Sequence, residues 1–316
     1  MSIVNKGAGA ESGGRSVGQM TQKPRGAVRL DALWGLLMIT PLLLVFTWVR
    51  VLPALSSFAF SFTEYNLFSA PQWAWFANFE RALHDGALHR AILVTFQYAA
   101  GTTIPSILLA LPLAIALNGQ VQGSRFLRLV LYLPQVLSPV AVGMIWVTLL
   151  NPVYGPVNAL LSLFNVGRIG WLSDPNLALF TLMAIGVWTM LGYNIVIYLA
   201  GLQSISREVN EAALIDGANP LQIFFHITVP LLTPTTTFLI VTNSIFALQG
   251  FDLVSIMTGG GPAERTTTVI LYIYRQAFSQ YDMGYASAVA LILFLLIVAL
   301  AVVFTLWSRR RSEVAS

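Results

Sequence analysis

The sequence predicts an all-α integral membrane protein with six transmembrane helices. Of its 316 residues, 56% are hydrophobic and only 9% are charged, whereas about 25% of the residues in soluble domains are charged. The apolar residues form uninterrupted runs, each as long as the roughly 20 residues that a helix needs to cross a bilayer. A chain made of several soluble domains is therefore excluded.

Six apolar runs follow one another along the chain. We place the spans at about residues 32–58, 91–117, 127–150, 177–202, 231–253 and 285–307. The first run is too long for the core of a signal peptide, which is about 7 to 15 residues. Its single charge, Arg50, falls near the far interface, where a long side chain can reach water. In the third run, Pro134 and Pro139 are expected to be tolerated as kinks.

The chain therefore divides into three parts. Residues 1–30 are expected to form a disordered basic tail, residues 31–308 a transmembrane domain, and residues 309–316 a C-terminal tail. No tandem repeat is visible, so internal symmetry gives no support to an inverted-repeat carrier.

The basic residues indicate the orientation of the spans. An even number of spans places both termini on one side, and the segments assigned to the cytoplasm contain Lys6, Arg15, Lys23, Arg25, Arg29, Arg125, Arg128, Arg207, Arg309, Arg310 and Arg311. The opposite face contains Arg81, Arg90, Arg168, Arg265 and Arg275. The positive-inside rule thus predicts cytoplasmic termini. Topology also explains the net charge of +4, so no nucleic-acid partner is expected.

The cytoplasmic loop at residues 203–230 has the local pattern of two helices separated by a break. Ser206 is a suitable N-cap, and Gly217 offers a helix stop. Asn219 can then cap a second helix whose first position is Pro220. That helix is expected to run to a kink at Pro230. A short cytoplasmic helix with a small alanine surface can fit a groove of another protein, so the loop is a candidate docking element.

The loop resembles the EAA signature of ABC importer permeases. That signature reads Glu-Ala-Ala, three residues, Gly, nine residues, Ile, one residue, Leu and Pro. The matching residues are Glu211, Ala212, Ala213, Gly217, Ile227 and Pro230, and Val229 replaces the usual Leu with the spacing intact. The MTGGGP segment at residues 257–262 and the residues after it are similar to the maltose-type sugar permease branch, and the resemblance covers nearly the whole chain beyond residue 30.

The resemblance implies a type I ABC importer permease fold in the bacterial cytoplasmic (inner) membrane. It implies that residues 203–230 lie in a cleft of a cytoplasmic ATPase, with Glu211 pairing with a basic group and Gly217 permitting the turn. Asp216 gives the first helix of this loop a second acid group beside Glu211. The implied partners are a second permease subunit in a heterodimer, two ATPase subunits and an extracytoplasmic sugar-binding protein. ATP and Mg would be bound by the ATPase, with no cofactor on this chain.

Polar and aromatic residues within two spans are candidates for a substrate pathway, because aromatic faces pack on the C–H side of a sugar and amides bind its hydroxyls. The candidates are Trp188, Tyr193, Asn194, Asn243, Phe246, Gln249 and Gly250. Helix packing is the competing explanation, since membrane interfaces also contain Gly and hydrogen-bonding side chains.

Other function classes have less support. No convergent set of nucleophile, base or metal ligands is visible, so neither an enzyme nor a metal site is expected. Within the importer class, the alternative to a carbohydrate is glycerol 3-phosphate or a phosphodiester. Such an anion should call for a buried Lys or Arg, and spans two to six contain none in their cores. A more distant alternative is an ATP-independent secondary carrier.

Overall fold

The computed structural model describes residues 25–119 and 123–314, and most of the predicted basic tail at residues 1–30 lies outside them. The described part is mostly helical and contains one two-stranded sheet. Four of its helices are long and apolar enough to cross a membrane, and the number rises to six if each of two bent helix pairs counts as one span.

The N-terminal part is one long apolar helical segment. Helix α1 (Arg25–Phe46) continues through a π-helical turn (Thr47–Val51) into α2 (Leu52–Phe60). The chain divides into two units, one that ends at Leu55 and one that begins at Ser56. None of the side chains from Trp34 to Phe60 is buried within the chain.

The second unit begins with a small sheet and a short helix. Strands β1 (Thr63–Glu64) and β2 (Gln72–Trp73) pair in antiparallel register, and α3 (Ala77–His84) follows. The buried amide of Asn78 donates hydrogen bonds to the carbonyl oxygens of Ser61 and Thr63 at 3.1 and 2.9 Å. One side chain therefore fixes α3 against the chain that enters the sheet.

Four helices pack against one another in this unit: α4 (Gly86–Asn118), α8 (Ala178–Ser204), α12 (Thr233–Leu248) and α15 (Met283–Val314). Helix α4 packs against α8 and α12, and α12 also packs against α15. Ala110 and Ala114 of α4 are fully buried in one core cluster with Ile195 and Leu239. Small residues let apolar helices approach closely, which is how helices associate in lipid.

The expected third span is broken rather than kinked. Helices α5 (Ser124–Val136) and α6 (Pro139–Leu149) meet at an angle of 99°. Leu137 and Ser138 between them are extended, with ψ of 147° and 131°. A proline disfavours helical geometry at the residue before it, so Pro139 ends one helix and begins the next.

The expected fifth span is also bent, and the bend lies beyond Pro230. A helical segment made of α10 (Pro220–Ile223), a π-helical turn (Phe224–Thr228) and α11 (Val229–Leu231) continues through that proline. It meets α12 at 62°. Helix α12 ends at Leu248, five residues before the expected end of the span.

Short elements complete the unit. They are α7 (Pro156–Ser162), α9 (Arg207–Ile215), α13 (Asp252–Met257), α14 (Val269–Tyr274) and a π-helical turn (Arg275–Ser279). Helix α13 packs against α6, and α14 packs against α4 and α15.

Candidate functional site

The loop at residues 203–230 folds as two capped helices, as its sequence predicts. The Ser206 hydroxyl accepts a hydrogen bond from the Glu208 amide at 3.2 Å and begins α9. The helix ends in a Schellman motif. In it, Gly217 has φ of +79° and donates to the Leu214 carbonyl, while Ala218 donates to the Ala213 carbonyl.

The second helix begins with a reciprocal capping box. The Asn219 side chain accepts from the Gln222 amide at 2.9 Å, and the Gln222 side chain accepts from the Asn219 amide at 2.8 Å. Ile227 lies half-buried in the π-helical turn, and Pro230 is exposed in α11. Both helices of the loop are therefore capped, and the second leads into α12.

The exposed face of α9 differs in part from the expected one. Glu211 and Ala212 are exposed, as is Asp216 at the end of the helix, but Ala213 is buried. Successive helical residues point about 100° apart, so two adjacent alanines cannot both lie at the centre of one exposed face. The sequence reasoning missed Leu214 and Ile215, which are 60% and 86% exposed. Their position beside the Glu-Ala-Ala triplet was the available signal.

A cavity of about 360 Å³ opens between α8, α12 and the break that separates α5 from α6. Five of the seven predicted pathway residues line it: Tyr193, Asn243, Phe246, Gln249 and Gly250. The cavity therefore brings together residues that the sequence places on two separate spans.

The other two predicted pathway residues lie elsewhere. Trp188 packs edge-to-face on Trp146, with ring centroids 5.6 Å apart. Asn194 is fully buried and accepts a hydrogen bond from the Asn243 amide at 2.8 Å, so it supports a lining residue without lining the cavity itself.

Several lining residues were not predicted from the sequence. Tyr98 comes from α4, Thr189 from α8, and Gln135 from the end of α5, just before the helix break. The signal for Gln135 was its place between Pro134 and Pro139, because an interrupted helix at membrane depth is tolerated only inside protein or beside a wet cavity.

The cavity carries little charge. Among the described residues that line it, Asp252 is the only charged one, and it lies at the start of α13. The remaining polar groups are amides and hydroxyls. In the described part of the chain, no group of three or more His, Asp or Glu side chains is placed to hold a metal ion. The lining is thus suited to a neutral hydroxylated molecule.

A second polar cluster surrounds Asp85, the N-cap of α4. One carboxylate oxygen accepts from the amides of Ala87 and Leu88, and the other accepts from the hydroxyls of Tyr272 and Tyr285 at 2.5 and 2.6 Å. Burial raises the pKa of Asp85, but the tyrosine and backbone hydrogen bonds outweigh it and lower the pKa below its usual value. Burial and the bond to Asp85 raise the pKa of Tyr272 to about 12. The cluster ties α14 and α15 to the start of α4.

Residues 106–313 match the family described as binding-protein-dependent transport system inner membrane component. The chain belongs to this family, and it is a permease subunit of an ABC importer, a multi-pass protein of the inner membrane. It is a transporter and not itself a catalytic enzyme. Membership of this family leaves the secondary-carrier alternative without support.

Individual relatives extend over most of the chain. The probable ABC transporter permease protein YesP of Bacillus subtilis is 35% identical over 285 residues, which cover 89% of this chain and 92% of that protein. The sn-glycerol-3-phosphate transport system permease protein UgpA of Agrobacterium fabrum is 35% identical over 71% of this chain and 76% of its own length.

The fold is shared with a solved transporter. A chain of a bacterial ABC transporter involved in the import of the acidic polysaccharide alginate superposes with a TM-score of 0.79 at 24% identity, covering 91% of this chain and 99% of that one. A second structure of a bacterial alginate ABC transporter, in complex with an alginate pentasaccharide-bound periplasmic protein, gives the same TM-score at 23% identity.

Proposed function

We propose that this permease imports a neutral carbohydrate through the cavity between α8, α12 and the break after α5. The observation that carries the proposal is the lining: aromatic rings, amides and hydroxyls, with Asp252 as the only charged residue among those described. Pockets for small molecules are mostly apolar, and a few precisely placed polar groups fix the orientation of the ligand. A carboxylate without a neighbouring cation disfavours an anionic substrate.

The proposed complex contains a second permease subunit in a heterodimer, two cytoplasmic ATPase subunits and an extracytoplasmic sugar-binding protein. ATP and Mg are bound by the ATPase subunits, with no cofactor on this chain. Each bent helix pair counts as one span, which gives six spans with both termini in the cytoplasm. The excess of basic residues in the cytoplasmic segments supports this orientation.

The coupling site in this proposal is the exposed face of α9. Glu211 offers a charge to a basic group on the ATPase, and the exposed Leu214 and Ile215 offer apolar contact area. A displacement of the capped loop passes into α12 across its 62° bend. Asn243 lies about 16 Å further along that helix, at 1.5 Å per residue. Movement at the ATPase can therefore reach the cavity through one helix.

The substrate proposal is tested by calorimetric titration of the cognate binding protein with neutral sugars and with sn-glycerol 3-phosphate, followed by uptake of the same compounds. Uptake of a neutral sugar that a hundredfold excess of glycerol 3-phosphate does not inhibit is the expected result. Strict dependence on a phosphorylated substrate would contradict the proposal. Glycerol 3-phosphate is the second candidate, because relatives named for its transport are 31–35% identical to this chain.

The coupling proposal is tested by Glu211→Lys in the co-expressed complex. The expected result is loss of co-purification with the ATPase, because the substitution places like charges together at the contact. Glu80→Lys is the matched control, since Glu80 is an exposed acid on α3, distant in sequence from the loop. Normal assembly and transport by the Glu211→Lys complex would show that this residue has no coupling role.

A further inference from the structure

Three buried polar side chains connect α4, α8 and α12 in a hydrogen-bond relay. Asn243 of α12 donates from Nδ2 to Asn194 Oδ1 at 2.8 Å, and Asn194 of α8 donates from Nδ2 to Ser106 Oγ of α4 at 3.1 Å. Ser106 and Asn194 are fully buried and Asn243 is 1% exposed. Within the membrane, such groups are costly unless they are paired.

The relay has a fixed direction. The Ser106 hydroxyl donates its single proton to the Thr103 carbonyl at 2.9 Å, and a carbonyl oxygen can only accept. Ser106 Oγ must therefore accept from its other partner, so the NH₂ group of Asn194 faces it. The Asn194 oxygen then faces α12, and Asn243 must meet it with its own NH₂ group. One backbone carbonyl thus sets the orientation of two asparagine amides.

This orientation decides which atom Asn243 offers to the cavity. With its nitrogen end turned to Asn194, Asn243 directs Oδ1 the other way, and the residue lines the cavity. Oδ1 accepts no hydrogen bond from the described residues. An acceptor at the cavity wall that has no protein donor can accept a hydrogen bond from a ligand hydroxyl.

We propose that Ser106 and Asn194 are positioning residues that hold Asn243 Oδ1 toward the cavity, so that this position recognises a hydrogen-bond donor. The matching ligand is a neutral polyol or sugar hydroxyl. A phosphate or carboxylate oxygen meets a second acceptor there and is disfavoured. This inference rests on the proposed carbohydrate function and names the group through which it selects its substrate.

The test measures uptake by the whole transport complex with its binding protein. Maltose, trehalose, sucrose and sn-glycerol 3-phosphate are the probes, and the sugar with the fastest uptake is compared with its monodeoxyfluoro analogues. A fluorine substituent has no proton to donate to Asn243 Oδ1. The analogue whose fluorine replaces the recognised hydroxyl is therefore expected to lose roughly tenfold or more in kcat/KM. In Ser106→Ala, the Asn194 amide can turn, and that loss should shrink to about twofold while the other analogues are unaffected.

Two further variants separate positioning from a purely structural role. Ser106→Thr keeps the hydroxyl and should discriminate between the sugar and its fluorinated analogue as the wild type does. Thr102→Val is the matched control, because Thr102 is equally buried one turn earlier and its hydroxyl bonds only to carbonyls of its own helix. The variant should keep the discrimination of the wild type.

The outcomes distinguish two failures. If a neutral sugar is transported and Ser106→Ala still rejects the fluorinated analogue tenfold, or Thr102→Val loses the same discrimination, the relay has no positioning role and the carbohydrate function stands. If glycerol 3-phosphate is the fastest probe, the carbohydrate function and the inference that rests on it both fail.

Discussion

Gly192 of α8 lies close to the backbone of α5. A Cβ atom at this position would lie 2.1 Å from the Leu131 carbonyl oxygen and 2.7 Å from Tyr132 Cα, and both are backbone atoms that cannot rotate away. Real Cβ contacts are longer than 3.0 Å. Since interiors are close-packed, an alanine would have to push the two helices apart by about 1 Å.

We predict that Gly192→Ala lowers the free energy of unfolding by about 1 to 3 kcal/mol, the usual cost of an added methyl group in a filled core. The clash with backbone atoms places the cost at the upper end of this range, near ~3 kcal/mol. An alanine also gains up to about 1 kcal/mol in helix propensity, so the net loss is about 2 kcal/mol. The midpoint temperature of thermal unfolding of the detergent-purified protein should fall by roughly 5 °C. Tyr193 and Pro134 line the cavity beside this contact, so KM for transport should rise as well.

Gly101→Ala is the matched control within the same core. Its Cβ would meet only the side chain of Met183, at 2.4 Å from the sulfur, and a flexible thioether can move aside. We expect a loss below about 1 kcal/mol for this variant. If Gly192→Ala unfolds at the wild-type temperature, or no earlier than Gly101→Ala, then backbone contact does not hold α5 against α8 and the reasoning is wrong.

Substitutions at other positions also have defined outcomes. Gly217→Val should weaken co-purification with the ATPase by about tenfold, because a left-handed backbone conformation costs a residue with a side chain about 1 to 2 kcal/mol. Gly217→Asn should have a smaller effect, and equal losses in the two variants would contradict this prediction. Burial alone would raise the pKa of Asp85, but its hydrogen bonds outweigh burial and lower the pKa. Its carboxylate therefore stabilises the fold at pH values above the unfolded pKa near 3.9. The thermal unfolding temperature should fall as the pH drops through the lower pKa of the folded state. Asp85→Asn should abolish this dependence on pH. Tyr198→Phe removes a buried hydroxyl that donates to Thr236 at 3.0 Å; it should cost about 1 kcal/mol in chemical unfolding, and combining it with Thr236→Val should add little.

The features that were predictable from the sequence are those with local causes. Hydropathy identified the long helices because membrane length sets their minimum run of apolar residues. Both ends of α9 and the start of α10 were also predictable, because Ser206, Gly217 and Asn219 act on neighbouring backbone groups. The functional family followed from the spacing between Glu211 and Pro230, which the comparisons with known permeases support.

The features that were missed depend on contacts between distant segments. Nothing local distinguishes Asn194 from Asn243, yet one is enclosed by α4 and the other reaches the cavity. The sequence predicts that Pro134 and Pro139 are tolerated as kinks, but it does not predict a break of 99° between α5 and α6. Gln135 lines the cavity beside that break.

The break between α5 and α6 also has a consequence for the electrical insulation of the membrane. Pro134 carries no amide proton, so the carbonyl one turn before it lacks its helical donor. The last carbonyls of α5 lack helical donors as well, because the helix ends at Val136. At membrane depth such groups must be satisfied by neighbouring protein groups or by water, and Leu137 and Pro139 line the cavity. In a cell that maintains a proton gradient, any water that fills this cavity has to be closed off at one end in every state of the transport cycle. The residues that close the cavity therefore matter for ion leakage as much as for substrate selection.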